Sequence, residues 1–170
     1  MGVSAAKLQV AGLEPESIVD GPGIRLAVFV QGCPHKCPGC HNPQTHPFKG
    51  GTEMAVEDIF ARFKRNPLLK GVTLSGGEPF CQAEALAELA RLVHSARKDV
   101  VVYTGYTYEE LAASGDPAVQ ALLSETDLLV DGPFIEEQKD LDLHFRGSGN
   151  QRLIDMEKTR ARGQVALWEQ

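Results

Sequence analysis

The chain has 170 residues, of which 42% are hydrophobic and 24% are charged, and its net charge is −6 at pH 7. This length suffices for one domain with a hydrophobic core and is short for two. The negative charge argues against a nucleic-acid partner, and no apolar run approaches the ~20 residues of a membrane span. The first residues lack the apolar core of a secretory signal, so we expect a cytoplasmic protein without membrane contact.

Four short apolar runs predict buried strands, because they are rich in β-branched residues and end in glycine or polar residues. In chain order these runs cover residues 23–32, 71–77, 99–105 and 127–133.

Helical patterns separate the four runs. Thr52 is expected to cap the first helix, in which apolar residues recur at i, i+3, i+4 and i+7. These residues are Val56, Ile59, Phe60 and Phe63. A second helix is expected to end near Lys98, and a third helical stretch, 108–124, is interrupted by the sequence SGDP.

Strands that alternate with helices predict an α/β fold with right-handed βαβ units and a parallel sheet. Glycine-rich or polar residues follow each predicted strand, and in a parallel sheet such loops share the carboxyl edge, where sites are built. The last ~40 residues are less regular; within them, 150–156 and 163–169 are each a possible strand.

Three of the four cysteines, Cys33, Cys37 and Cys40, lie in one loop, with gaps of three and two residues between them. Clustered thiolates suit either an iron–sulfur cluster or zinc. A zinc site would need His41 or His35 as its fourth ligand, whereas a four-iron cluster on three thiolates keeps one iron open for a cofactor. Cys81 is expected to pack rather than to ligate, since free cysteine behaves as a small hydrophobe.

The sequence around the cysteines, GPGIRLAVFVQGCPHKCPGCHN at 21–42, resembles the signature of radical S-adenosylmethionine (SAM) enzymes that activate glycyl-radical enzymes. The signature is matched at Gly21, Gly23, Arg25, Phe29, Gly32, Cys33, Cys37, Cys40 and Asn42. A second motif, SGGEP at 75–79, resembles the segment that binds the amino group of SAM in this family. A carboxylate such as that of Glu78 can accept a charge-assisted hydrogen bond from an ammonium group.

The resemblance implies that Cys33, Cys37 and Cys40 hold a [4Fe-4S] cluster and that SAM occupies the open iron. The residues expected to contact the cofactors are Gly39, Cys40, His41, Ser75, Gly76, Gly77, Glu78 and Thr104. Gly39 stands where radical SAM enzymes often carry an aromatic residue, so an adenine contact at that turn would come from the backbone or from His41.

The mechanism that the resemblance implies begins with one electron from an external donor such as flavodoxin or ferredoxin. SAM is then cleaved to methionine and a 5′-deoxyadenosyl radical, which removes hydrogen from the Cα of a glycine in a large partner enzyme. The cofactors supply this chemistry, so no protein acid or base is expected.

Later segments, among them YTGY, LLVDGPF and FRGSGNQRLID, resemble the branch of the family that serves anaerobic ribonucleotide reductase. The implied fold is a compact partial (βα) barrel or open parallel sheet, in one domain spanning 1–170 with a core at 17–155 and a C-terminal extension at 156–170. Two alternatives remain at this stage: an activase for a pyruvate formate-lyase type of enzyme or another radical SAM enzyme, and a zinc-binding interaction module without catalysis.

Overall fold

A computed structural model describes residues 6–35, 37–40 and 43–169. Within these ranges the chain forms a seven-stranded mixed sheet and five α-helices. The strands are β1 (Lys7–Ser17), β2 (Arg25–Val30), β3 (Thr52–Ala55), β4 (Gly71–Gly76), β5 (Asp99–Tyr103), β6 (Leu128–Asp131) and β7 (Arg152–Asp155). The helices are α1 (Val56–Lys64), α2 (Ala83–Ser95), α3 (Tyr108–Ala112), α4 (Pro117–Ser124) and α5 (Met156–Arg162).

The sheet order is β3-β1-β2-β4-β5-β6-β7, with β3 and β7 at its two edges. The four central strands β2, β4, β5 and β6 are parallel, and β1, β3 and β7 pair antiparallel. The predicted open sheet is therefore confirmed in its parallel centre, whereas a barrel is not confirmed.

One face of the sheet carries the helices and the main hydrophobic core. Alternate strand residues such as Val28, Leu74 and Val102 point to this face and pack with Ile59 of α1 and Leu89 of α2. The opposite face holds a smaller apolar cluster, formed by Val101, Leu128, Val130 and Leu153, with Tyr103, Phe145 and Trp168 against it. The helix-free face is thus left open for a site near the ends of the parallel strands.

The predicted helix start at Thr52 is wrong. Thr52 begins β3 and pairs with Val10 of β1, while α1 begins at Val56, after Ala55. Two strands at the amino-terminal edge, β1 and β3, and helix α5 had no counterpart in the sequence-based prediction. The possible strand at 163–169 reduces to one isolated bridge, between Ile154 and Leu167.

Helix α5 and the residues after it are anchored to the sheet at its edge strand β7. Met156, the first residue of α5, belongs to the main core, and Trp168 donates its backbone N–H to Leu153 O at 2.8 Å. No helix in the described ranges combines the length and the apolar character needed to cross a lipid bilayer.

Candidate active site

A cavity of about 610 Å³ opens on the helix-free face, at the carboxyl ends of the parallel strands. Each central strand contributes lining residues from its last positions or the following loop: Cys33 after β2, Ser75 and Gly76 of β4, Tyr103 of β5, and Gly132 after β6. The expectation that loops distant in sequence meet at this edge is confirmed.

The cysteine loop forms one wall of the cavity, and Cys33, Cys37 and Cys40 all line it. Backbone hydrogen bonds hold the loop at both ends: Gly32 N donates to Thr45 O at 2.7 Å, and Cys33 N donates to His46 O at 3.0 Å. The four cysteines, all within the described ranges, form no disulfide.

The side chain of Glu78 lies behind the cavity wall and contacts three segments: the cysteine loop, the turn at Phe80 and the loop after β5. Its side chain is fully buried. Its carboxylate accepts hydrogen bonds from Phe80 N at 3.0 Å, Thr104 Oγ1 at 2.9 Å and Gly105 N at 2.8 Å. His35 Nε2, from the cysteine loop, lies 2.6 Å from Glu78 Oε1. One carboxylate therefore ties the cysteine loop to the loop after β5.

Two glycines let β4 approach β2 closely. A Cβ on Gly76, whose φ is +112°, would lie 2.4 Å from Val30 N, and a Cβ on Gly77 would lie 2.4 Å from Gly32 O. Gly77 N and Glu78 N donate to Val30 O and Gly32 O. The glycines are thus needed for the close strand contact that sets the cysteine loop beside this segment.

The segment 17–24 forms another edge of the cavity, and hydrogen bonds from Arg25 and Thr73 hold it against the sheet. Arg25 is fully buried and donates to Thr73 Oγ1 and to Pro22 O, and its Nη2 lies 2.5 Å from Asp99 Oδ1. Thr73 Oγ1 in turn donates to Asp20 O at 2.6 Å. Arg25 thus has a structural role, with partners on three neighbouring segments.

The far wall comes from the long connection between β6 and β7. Gln151 organises this connection: its Oε1 accepts Gly147 N and Ser148 N, and its Nε2 donates to Gly132 O at 3.0 Å. Asp131 accepts a hydrogen bond from Tyr108 N at 2.7 Å and pairs with Arg152, so its carboxylate is satisfied by the protein.

Two titratable groups near the site, Tyr103 at the end of β5 and Cys81 after β4, have raised pKa values. Burial raises the pKa of Tyr103, and the charge of Asp20 adds to this. Desolvation raises the pKa of the Cys81 thiol to about 11, with smaller contributions from Glu78 and Cys33. Cys81 does not line the cavity, although its side chain is exposed.

The predicted site residues fall into three groups. Cys33, Cys37, Cys40, Ser75, Gly76, Gly77 and Thr104 line the cavity. Gly39 turns beside it with φ +74°, against the side chain of Glu136, and Glu78 lies behind the wall. His41 lies outside the described residues.

Several cavity residues were not singled out for the site from the sequence. Tyr103, Arg146 and Asp20 line it. His35, named from the sequence only as a possible zinc ligand, joins the wall through Glu78. The edge rule for parallel sheets could have located Tyr103, at the end of β5. Arg146 lies in the segment FRGSGNQRLID, which resembles the family but was not assigned to the site.

The residues present fit an iron–sulfur cluster with a small organic ligand beside it. Three thiols, the donors that iron–sulfur clusters use, share one cavity wall, and the cavity volume suits a ligand of nucleoside size. Within the described part of the chain, no three His, Cys, Asp or Glu side chains come together tightly enough for a single metal ion.

Comparison with known proteins gives the family. Residues 19–154 match the model of a 4Fe-4S single cluster domain. The anaerobic ribonucleoside-triphosphate reductase-activating protein of Vibrio cholerae serotype O1 is 41% identical over 146 residues, which cover 81% of this chain and 91% of the relative. The chain belongs to this family of activating proteins.

Other relatives agree. The protein of the same name from Escherichia coli K12 is 38% identical over 81% of this chain and 92% of its own length. The one from Enterobacteria phage T4 is 32% identical over 82% of this chain and 88% of its own length. Among solved structures, QueE from Escherichia coli is similar, with a TM-score of 0.48 and 18% identity over 59% of this chain and 54% of that chain.

Proposed function

We propose that this protein is the activase of an anaerobic ribonucleoside-triphosphate reductase, on which it generates a glycyl radical with a [4Fe-4S] cluster and SAM. The observation that carries this proposal is the family membership, which spans most of the chain, together with three cysteines on the wall of one cavity. When bound and reduced, the cluster supplies the electron that cleaves SAM and so yields a radical able to take hydrogen from a glycine Cα.

In this proposal the cysteine loop holds the cluster through Cys33, Cys37 and Cys40. The backbone hydrogen bonds from Gly32 to Thr45 and from Cys33 to His46 hold the two ends of that loop together. The same loop contacts Glu78 through His35, so the position of the cluster is coupled to the end of β4. Rigid placement matters because a displacement of about 1 Å at a reacting centre is costly to rate.

The SAM contacts that we propose lie beside this loop, at Ser75, Gly76, Gly77 and Thr104. Glu78 has its acceptor positions occupied by donors of the protein. A contact between Glu78 and the SAM ammonium group would therefore replace His35, the partner from the cysteine loop, at Oε1. His41 and the backbone at Gly39 remain the proposed contacts of the adenine.

The partner assignment is also part of the proposal. The cavity is open to the surface, and its rim carries the exposed side chains of Ile18, Val19 and Leu141. An open site of this kind admits a glycine on a polypeptide segment. The electron donor that we propose is a one-electron carrier such as flavodoxin or ferredoxin, and we place the activity in the cytoplasm, where reducing conditions keep thiolates available.

The proposal is tested by reconstituting the wild-type protein with iron and sulfide without oxygen, then adding reductant and SAM. We expect about four irons per chain, together with formation of methionine and 5′-deoxyadenosine. A colourless protein that retains about one zinc per chain after reconstitution and cleaves no SAM would contradict the proposal and favour a zinc-binding module.

A further inference from the structure

Arg146 brings a guanidinium group to the cavity with one N–H group left without an acceptor. Arg146 lines the cavity, and its Nε is the only buried side-chain nitrogen or oxygen atom among the described residues that has no hydrogen-bond partner. Its Nη1 donates to Gln151 O at 3.1 Å. A buried donor without an acceptor is destabilising, and the described residues supply no acceptor for this N–H group.

The other buried or half-buried arginines differ in this respect. Arg25 pairs with Asp99, and Arg152 pairs with both Asp131 and Glu109. Each of these guanidinium groups is explained by the fold. The guanidinium of Arg146 has a backbone carbonyl as its protein partner instead of a carboxylate, so its positive charge is not balanced by an ion pair within the described residues.

The position of Arg146 is fixed by the loop around it. Gln151 binds the two backbone N–H groups that follow Arg146, those of Gly147 and Ser148, and also holds Gly132. Before it, Phe145 has a left-handed backbone with φ +61°, and its ring packs 6.1 Å from that of Trp168. The guanidinium is therefore set in place at the cavity before any ligand arrives.

We propose that Arg146 binds the carboxylate of SAM and so selects for the intact methionyl group. This inference rests on the proposed function, since it requires SAM in the cavity. The carboxylate is the anionic group of SAM, and a guanidinium N–H donor matches a carboxylate oxygen in charge and geometry. Arg146 is thus a specificity residue on the wall formed by the β6–β7 connection, which the sequence motifs around the cysteines and SGGEP do not include.

The test compares two ligands on protein reconstituted with its cluster under anaerobic conditions. Dissociation constants for SAM and for decarboxylated SAM are measured by equilibrium dialysis on wild type, Arg146→Gln, Arg146→Lys and Arg162→Gln. Arg162 is the matched control, because it is an exposed arginine in the last turn of α5. Iron content is measured for every variant.

We expect Arg146→Gln to weaken SAM binding by about 10- to 100-fold, as for loss of a charge-assisted hydrogen bond, and to leave binding of decarboxylated SAM unchanged. Arg162→Gln should bind both ligands like wild type. Arg146→Lys keeps the charge but loses the planar fork, so it should show a smaller loss that is again confined to SAM. If Arg146→Gln does not hold its cluster, the comparison of SAM with decarboxylated SAM is made on Arg146→Lys instead.

Three results would overturn the inference. The first is wild-type SAM affinity in both Arg146 variants, and the second is an equal loss of both ligands at unchanged iron content. The third is normal SAM binding with a higher reductase concentration needed for half-maximal radical formation, which would assign the guanidinium to carbonyl groups of the partner's peptide. Failure of the wild type itself to bind SAM would instead overturn the proposed function, and the inference with it.

Discussion

At the scale of single residues, the three cysteines of the loop and the fourth cysteine have different surroundings. Cys33, Cys37 and Cys40 border the cavity, whereas Cys81 lies outside it with a thiol whose pKa is raised to about 11 by desolvation. A thiol with a raised pKa is a poorer ligand, because metals bind the thiolate.

We therefore predict that Cys33→Ser, Cys37→Ser and Cys40→Ser each lose the cluster, while Cys81→Ser retains it. Iron and sulfide content and the visible absorption spectrum after anaerobic reconstitution measure this difference. Cys81→Ser is the control, since it removes a thiol from the same region. Loss of iron in Cys81→Ser with retention in one of the other three would contradict the assignment of ligands.

Glu78 has a structural role that is independent of any ligand. Its buried carboxylate accepts hydrogen bonds from Phe80, Thr104 and Gly105. The NH2 group of a glutamine in its place would face some of these donors and could not accept from them. We predict that Glu78→Gln lowers the free energy of unfolding by about 2–3 kcal/mol, as for loss of hydrogen bonds to a buried charged group.

Urea unfolding of the cluster-free protein measures the effect of Glu78→Gln without any contribution from bound cofactors. Glu88→Gln is the matched control, because Glu88 of α2 is half-exposed and its ion pair is with Arg91 on the same helix. Partly exposed pairs of this kind are worth about 0–1 kcal/mol. Equal stability of the two variants would show that the buried hydrogen bonds do not hold the wall.

At the scale of secondary-structure elements, the register of β2 and β4 depends on glycine. A Cβ on Gly76 would meet the backbone of Val30, whereas nothing lies within 4 Å of a Cβ on Gly12 in β1. We predict that Gly76→Ala lowers the free energy of unfolding by about 3 kcal/mol, from the steric overlap and the left-handed backbone.

Chemical denaturation of Gly76→Ala beside Gly12→Ala provides the measurement. Gly12→Ala should stay near wild type, since the added methyl group meets open space. A Gly76→Ala protein as stable as Gly12→Ala would mean that β4 can move away from β2, and the close strand contact would then not be what positions the cysteine loop.

The ends of α2 and α4 meet at a pH-sensitive contact far from the cysteines in sequence. His94 in the last turn of α2 lies 2.8 Å from Glu125 and 2.7 Å from Asp127. Partial burial acts to lower the pKa of His94, but the hydrogen bonds and charges of Asp127 and Glu125 outweigh it, so the pKa is raised above 6.5.

Because the folded-state pKa of His94 is raised, the stabilisation from the charged ring is complete below the unfolded value and is lost as pH rises through the folded value. We predict that wild type exceeds His94→Gln in stability by about 0.5–1 kcal/mol more near pH 6 than near pH 9. Unfolding curves of both proteins at the two pH values give this difference. A difference that grows with pH would contradict the assignment.

The elements also show what the sequence could and could not predict. The four parallel strands were predicted because a continuous apolar run, such as the one ending at Tyr103, is visible in the local sequence without knowledge of the neighbouring strand. β1 was missed because Gly12 and Pro15 interrupt its pattern, and Thr52 was misassigned because pairing with Val10 overrides its local capping tendency. Helix α5 did have signals, a cap at Asp155 and a left-handed glycine at Gly163.

At the scale of the whole molecule, the two faces of the sheet have different roles: one carries the main core and the other carries the cavity. The helices cover one face and supply the main core, and the other face keeps the cavity, with the cysteine loop on one wall and the β6–β7 connection on another. The edge rule for parallel sheets predicted the first wall from sequence. It could not predict the second, because the position of Arg146 depends on hydrogen bonds of Gln151 that follow no local pattern.

The glycyl radical itself tests the central claim most directly. Wild-type protein reconstituted with its cluster is incubated without oxygen with reductant, SAM and an anaerobic ribonucleoside-triphosphate reductase, and the electron paramagnetic resonance spectrum is recorded. We predict an organic radical on the reductase that requires SAM and is absent with the Cys40→Ser protein. Cleavage of SAM at full cluster content without a radical on the reductase would contradict the account.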